Sequence, residues 1–328
     1  MLYSAFGLSL AANWSIPGLI PQTIPSRPDI SLWLHETRPY SDVAVAGEEL
    51  YYVSEEAEAG RPALQVWKTA GGAYFRLRYA DATEFLVART GGEIRAMSPD
   101  AATLEDTATY LLGPILGFAM RLRGITCLHA SVVAVGDHAI ALAGPAGAGK
   151  STTAAGFAAM GLPVMADDIA ALVEHEGTVH VQPAYPQLRL WPDSVAMLYG
   201  APDALPRLTP TWDKRALPLT EPGAFQQRSL PLCAVYLLGQ QRDQAETAIE
   251  EVCGAQRVVA LLPNTYVSYL QDAPMRRQEF DSLARLAATV PVRRMTRPRG
   301  SSSVAATCAH LLEDCERLRC TASPTMER

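Results

Sequence analysis

Gly144–Pro145–Ala146–Gly147–Ala148–Gly149–Lys150–Ser151 is the stretch that decides how the rest of the chain reads. It follows G-x-x-x-x-G-K-[ST], a phosphate-binding loop pattern. Its three glycines let the backbone turn tightly and bring N–H groups against anionic oxygens. Lys150 supplies a point charge for the outer phosphates, and Ser151 a hydroxyl fit to ligate Mg²⁺. Upstream, Ser131–Val132–Val133–Ala134–Val135 and His138–Ala139–Ile140–Ala141–Leu142 read as apolar strands joined by a Gly136–Asp137 turn. Downstream, Thr152–Met160 is rich in alanine and free of proline, as a helix requires. A helix starting at Thr152 adds its dipole to the anion site.

Gly161 ends that helix and Pro163 prevents its continuation. Val164–Met165–Ala166 is a short apolar strand that runs into Asp167–Asp168. Nucleotide chemistry needs carboxylates beside the phosphates, to hold a metal and to take a proton from an attacking hydroxyl. Neighbouring strand residues point to opposite faces, so both carboxylates reach one site only if the strand ends in a turn there.

Leu128–His129–Ala130–Ser131, the glycine loop and Gly161–Leu162–Pro163–Val164–Met165–Ala166–Asp167–Asp168 resemble the core of the HPr kinase/phosphorylase family. Gly161–Leu162–Pro163 stands where that family carries Arg-Gly-His, and Ala130 where it carries glycine. The wider chain is similar to the branch of such kinases found in peptide natural-product clusters, including lasso-peptide tailoring kinases. Tyr3–Leu8, Tyr185–Pro192, Asp213–Lys214–Arg215 and Pro231–Leu238 carry that wider likeness. The resemblance implies an α/β fold: an HPr-kinase-like catalytic domain with a mixed sheet and flanking helices. It implies ATP and Mg²⁺, and a peptide or protein acceptor hydroxyl. It also places His129 near the transferred phosphate and nominates Lys214 and Arg215 as the basic pair that follows charge on the moving group. Reverse phosphorolysis belongs to the namesake family, and nothing in these residues calls for it.

On these grounds Gly144 to Thr152 hold the nucleotide. Ser151 and, by preference, Asp168 hold Mg²⁺, while Asp167 takes the acceptor proton. The two aspartates exchange roles without conflict at this stage. His129 either donates to a phosphate oxygen or orients the base. Two rival functions remain open: a kinase for a small-molecule hydroxyl, and a nucleotide-binding regulator without turnover.

The 328 residues allow two domains. Residues 1–102 read as a small strand-rich domain, with strands at Ile30–Leu34, Asp42–Ala46, Leu50–Val53, Ala63–Lys68, Ala73–Tyr79 and Thr83–Ala88. Residues 103–328 form the catalytic domain, entered through a helix over Thr103–Arg123. The run Glu55–Glu56–Ala57–Glu58 reads as a solvated turn or, alternatively, as a recruiting surface for substrate. Tyr185–Pro192 reads as a packed loop or as a cleft wall with Arg189 facing phosphate. Arg297–Pro298–Arg299–Gly300, at the end of a strand over Val290–Met295, offers a further cation to a nucleotide or carboxylate. Val304–Arg319 closes the chain as a helix.

A net charge of −6 argues against a nucleic-acid partner. The longest apolar stretch, Tyr110–Met120, is too short to cross a bilayer. Six cysteines without C-x-x-C spacing fit reduced thiols in the cytoplasm. A homo-oligomer is left open.

Overall fold

A computed structural model describes residues 1–22, 27–35, 47–58, 60–242, 247–298 and 303–322. The chain divides into two compact units. The first comprises Met1–Ile125, Leu208–Trp212 and Val267–Met275; the second comprises Thr126–Arg207, Asp213–Tyr266 and Arg276–Arg328.

The first unit is built on an eight-stranded sheet. Its strands run Leu2–Ala5, Leu8–Ala12, Ile30–Trp33, Glu93–Met97, Glu84–Ala88, Tyr74–Tyr79, Leu64–Lys68 and Glu49–Val53 in spatial order. Ile30–Trp33 pairs parallel with both its neighbours, and the other pairings are antiparallel. Alternate residues are buried in Leu8–Ala12 and Glu93–Met97, the pattern of a sheet with one covered face, whereas Glu84–Ala88 is buried at every position. The strand expected at Asp42–Ala46 lies outside the described residues.

The segment Thr103–Arg123 is not one helix. Leu104–Tyr110 begins on a capping box in which Thr103 and Asp106 satisfy each other's backbone N–H groups. A wider turn follows over Leu111–Ile115, where Gly113 leaves helical geometry and Pro114 has no N–H to donate. The helix resumes at Leu116–Leu122. This segment belongs by its contacts to the first unit. The ring of Phe118 meets Phe75 edge-on, and Tyr110 stacks on Tyr79 with centroids 4.0 Å apart.

The second unit holds a mixed nine-stranded sheet. At its centre, Leu230–Arg242 runs parallel to His138–Ala143 on one side and to Val292–Pro298 on the other. His138–Ala143 pairs antiparallel with Ala130–Val135, which in turn pairs with Val164–Ala166. The expected hairpin, the loop after it and the short strand thus lie side by side. The helix Lys150–Ala159 packs beneath them, burying Ala154, Ala155 and Phe157 against Val133, Ile140, Leu142 and Tyr236. Gly156 has a steric reason. A Cβ there would sit 2.3 Å from Val304 Cγ1, so its absence lets the closing helix Val304–Ala322 approach. That helix is tied down by Asp314, 1% exposed, which accepts from Arg293 and from Tyr236 Oη.

Further elements differ from the sequence reading. Gln187–Leu190 is a strand paired with Arg215–Pro218, not a loop. Ala273–Thr289 is a 17-residue helix with no expectation behind it; only a narrow set including Leu283, Leu286 and Ala287 is buried, which leaves a weak apolar stripe. Among the described residues no helix is long and apolar enough to cross a membrane.

Candidate functional site

The loop Gly144–Gly149 joins the strand His138–Ala143 to the helix Lys150–Ala159. Gly144 has φ +144°, and a Cβ there would lie 2.6 Å from the carbonyl oxygen of Leu238. The loop can leave the sheet at this angle only with glycine. Gly149 caps the helix in a left-handed conformation and no side chain caps it. The first N–H groups of that helix are therefore not taken by a capping side chain, and the dipole places partial positive charge there. The Thr152 hydroxyl lies 2.7 Å from Ser194 Oγ.

Lys150 is 8% exposed. Its Nζ donates to the carbonyls of Gly144 at 2.8 Å and Pro145 at 3.1 Å, which holds the ammonium inside the loop. Burial pulls its pKa down, while Asp168 and Asp167 oppose that pull. Both carboxylates therefore act on the same lysine.

The two carboxylates of the doublet have different surroundings. The strand Val164–Ala166 ends, and Asp168 takes φ +71°, in the left-handed region that a residue with a Cβ rarely adopts. This reversal breaks the strand alternation. Asp167, 4% exposed, accepts from Ser131 Oγ at 2.7 Å and from Ser151 Oγ at 2.8 Å through Oδ1. Its Oδ2 accepts from the backbone N–H of Arg189 at 3.0 Å. Asp168 is more open. Its Oδ1 lies 3.2 Å from His129 Nδ1, and its Oδ2 accepts from Tyr266 Oη at 3.0 Å. Burial alone would raise the Asp168 pKa. The His129 hydrogen bond and charge, with Arg189 and Lys214, outweigh it and hold the carboxyl well below the usual range.

The partners of the two carboxylates differ from those the sequence suggests. The sequence reading couples Ser151 with Asp168, whereas the Ser151 hydroxyl meets Asp167. A carboxylate with two hydroxyls and an amide on it is held rigidly, with three of its four lone pairs engaged. Asp168, on the turn, keeps one accessible side.

The remaining nominated cations separate. Lys214 Nζ lies 5.3 Å from the Trp191 ring centroid, and its charge reaches Asp168 and Lys150. Arg215 is buried and donates from Nη1 to the carbonyl of Asp213 at 2.6 Å, a structural bond within its own turn. Arg189, 7% exposed, sits with its guanidinium 5.7 Å from the Tyr185 ring and feels Asp168 and Asp167. Burial pushes the Tyr185 phenol up to about 12. Arg297 reaches the loop directly, donating from Nη2 to the carbonyl of Ala148 at 2.8 Å. Arg299 and Gly300 lie outside the described residues.

The sequence reading passes over Ser131 and Tyr266. Ser131 had a signal: it stands beside His129 in the Leu128–His129–Ala130–Ser131 motif. Tyr266 had none, because it comes from 98 residues beyond Asp168. No cluster of three or more His, Cys, Asp or Glu with metal-binding geometry occurs among the described residues.

No family model matches this chain, and no curated protein sequence matches it. Among solved structures, the chain is similar to the Hpr(Ser) kinase/phosphatase from Coxiella burnetii. The likeness has a TM-score of 0.33 at 9% identity and covers 60% of this chain and 99% of that one. So distant a likeness carries no weight for the chemistry, which rests on the geometry above.

Proposed function

We propose that this protein is an ATP-dependent kinase that transfers the γ-phosphoryl group to a hydroxyl, a serine of a peptide or protein. The observation that carries the reading is the Ser151–Asp167 hydrogen bond at 2.8 Å. It joins the glycine loop to the acidic doublet on one side of the sheet, as phosphoryl transfer requires.

The residues fit a nucleotide with its metal. Mg²⁺ is held by one or two protein oxygens plus phosphates and water, and it does not need a cage of protein ligands. Ser151 Oγ and Asp167 Oδ1 form such a minimal oxygen pair. When bound, Mg²⁺ neutralises charge on the phosphate oxygens. The N–H groups of Gly147 to Lys150 surround the β-phosphate. Lys150 exchanges its two loop carbonyls for phosphate oxygens. Lys214 and Arg297 supply further positive charge along the outer phosphates.

Asp168 receives the acceptor proton. It is ionised at neutral pH, and His129 and Tyr266 fix the direction of its lone pairs. His129 thus acts as the orienting group, one of the two roles open to it from sequence. Asp167 holds the metal. The peptide acceptor is the part of this proposal that rests on the resemblance drawn from the sequence motifs.

The test is transfer from γ-labelled ATP to a panel of serine peptides and hydroxylated metabolites, with nucleotide binding measured in parallel. The expected result is a labelled serine peptide. Asp168→Asn abolishes that label and leaves nucleotide bound, whereas Asp167→Asn raises the Mg²⁺ needed for half-maximal rate. Full turnover by Asp168→Asn overturns the assignment of the base. Label on a metabolite alone overturns the peptide acceptor.

A further inference from the structure

The first unit contains a cavity of about 710 Å³ that has no part in the chemistry above. Five aromatic residues line it: Tyr52, Tyr79, Tyr110, Trp212 and Tyr269. They are arranged, not merely adjacent. Tyr79 and Tyr110 are stacked, Trp212 stands edge-on to Tyr110 at 5.7 Å, and Tyr52 tilts against Tyr269 at 5.1 Å. Tyr269 is nonetheless 48% exposed. An aromatic cluster of this size left open to solvent marks a binding surface more than a core.

Its electrostatics are one-sided. Glu55, Glu56 and Glu58 also line the cavity and are exposed. Among the lining residues there is no lysine or arginine. Burial raises the Tyr52 phenol, and Glu55 and Glu56 raise it further, so their negative field is felt inside the cavity. Tyr79 adds a second pointer. Its hydroxyl is buried and has no hydrogen-bond partner, which is costly unless a ligand supplies one.

We propose that this cavity binds the side chain of an arginine or lysine carried on a basic peptide segment. Aromatic faces attract a cation through their quadrupoles, strongly when water is excluded. Three carboxylates at the rim draw the same charge and give the peptide its direction of approach. The Tyr79 oxygen is placed to accept from a guanidinium or ammonium N–H. The volume lies in the range of sites that enclose a small ligand, which leaves room for the side chain and its flanking backbone. The run Glu55–Glu56–Ala57–Glu58 then serves to recruit a peptide and is not merely a solvated turn. Binding at this cavity does not depend on the kinase reading, since every residue named as lining it belongs to the first unit and the glycine loop and acidic doublet belong to the second. Use of the cavity to hold the phosphate acceptor would rest on that reading.

The experiment is fluorescence anisotropy of the full chain, without nucleotide, against a labelled Gly-Arg-Gly-Arg-Gly-Arg peptide and its citrulline counterpart. The arginine peptide should bind at least about tenfold tighter than the citrulline one. Two exposed-site variants test the location. Tyr269→Ala and the pair Glu55→Gln with Glu56→Gln should each weaken binding about tenfold. The remote neutral pair Asp203→Asn with Glu221→Gln should leave it unchanged. Lys150→Ala should also bind the peptide fully, so a failed kinase assignment does not disturb this result. Equal binding of both peptides, no binding, or equal weakening by the remote pair overturns the proposal.

Discussion

The glycine loop with its acidic doublet and the aromatic cavity are two polar sites made in opposite ways. The loop site is assembled from backbone amides, a buried lysine and carboxylates held in closed hydrogen bonds. The cavity is assembled from exposed acids and aromatic rings drawn from five separate parts of the sequence. The first suits an anion that must be gripped while its bonds change. The second suits a cation that need only be captured and released. The contrast shows that an acidic protein can present a positive socket and a negative one without either being visible in its net charge of −6.

The sharpest way to break that contrast is Lys150→Ala. Removing the one cation inside the loop should lower phosphoryl transfer by about a thousandfold, with the basic peptide still bound. Labelled-ATP assays and anisotropy on the same sample check this, and loss of both functions together would merge the two sites. Next in size is Phe157→Ala. Its ring is fully buried beneath the loop, and its removal should destabilise folding by about 3–5 kcal/mol in urea titration. A smaller effect is expected of Gly144→Ala, where a methyl group meets the Leu238 carbonyl at 2.6 Å. The cost should be about 1–3 kcal/mol, accompanied by weaker nucleotide binding and unaltered peptide binding.

The smallest effect concerns pH. The Asp168 carboxyl is held below its ordinary range in the folded state. Its contribution to stability is therefore complete above the unfolded carboxylate value of about 3.9. That contribution is lost as pH falls below this value toward the folded one. Asp168→Asn should be less stable than the parent at pH 7, and the gap should narrow in acid. Urea midpoints measured at pH 7 and at about pH 3 decide it, because a constant gap would mean that His129, Arg189 and Lys214 do not favour the charged form.

How much of this was legible beforehand follows from how local each feature is. Gly136–Asp137 with apolar runs on both sides reads as a hairpin because turn geometry and strand alternation are set within a dozen residues. The same holds for the loop after it and for Val164–Ala166. Val304–Ala322 was recognisable from its own periodicity. Thr103–Arg123 was read too simply, since Gly113 and Pro114 interrupt a run whose apolar side is continuous. The strand Gln187–Leu190 was missed because two prolines and aromatic rings mimic a loop, and its partner Arg215–Pro218 is remote.

Sequence alone determined the chemical kit: three glycines, a lysine, a hydroxyl and two adjacent carboxylates at spacings that a strand, loop and helix can bring together. It could not tell which partners each carboxylate would meet. That depended on the left-handed turn at Asp168 and on hydroxyls from Ser131, Ser151 and Tyr266. Nor could it gather Tyr52, Tyr110, Trp212 and Tyr269 around one space. Backbone preferences act over neighbouring residues and are written in the local sequence. Contacts between distant segments exist only after the sheets have closed.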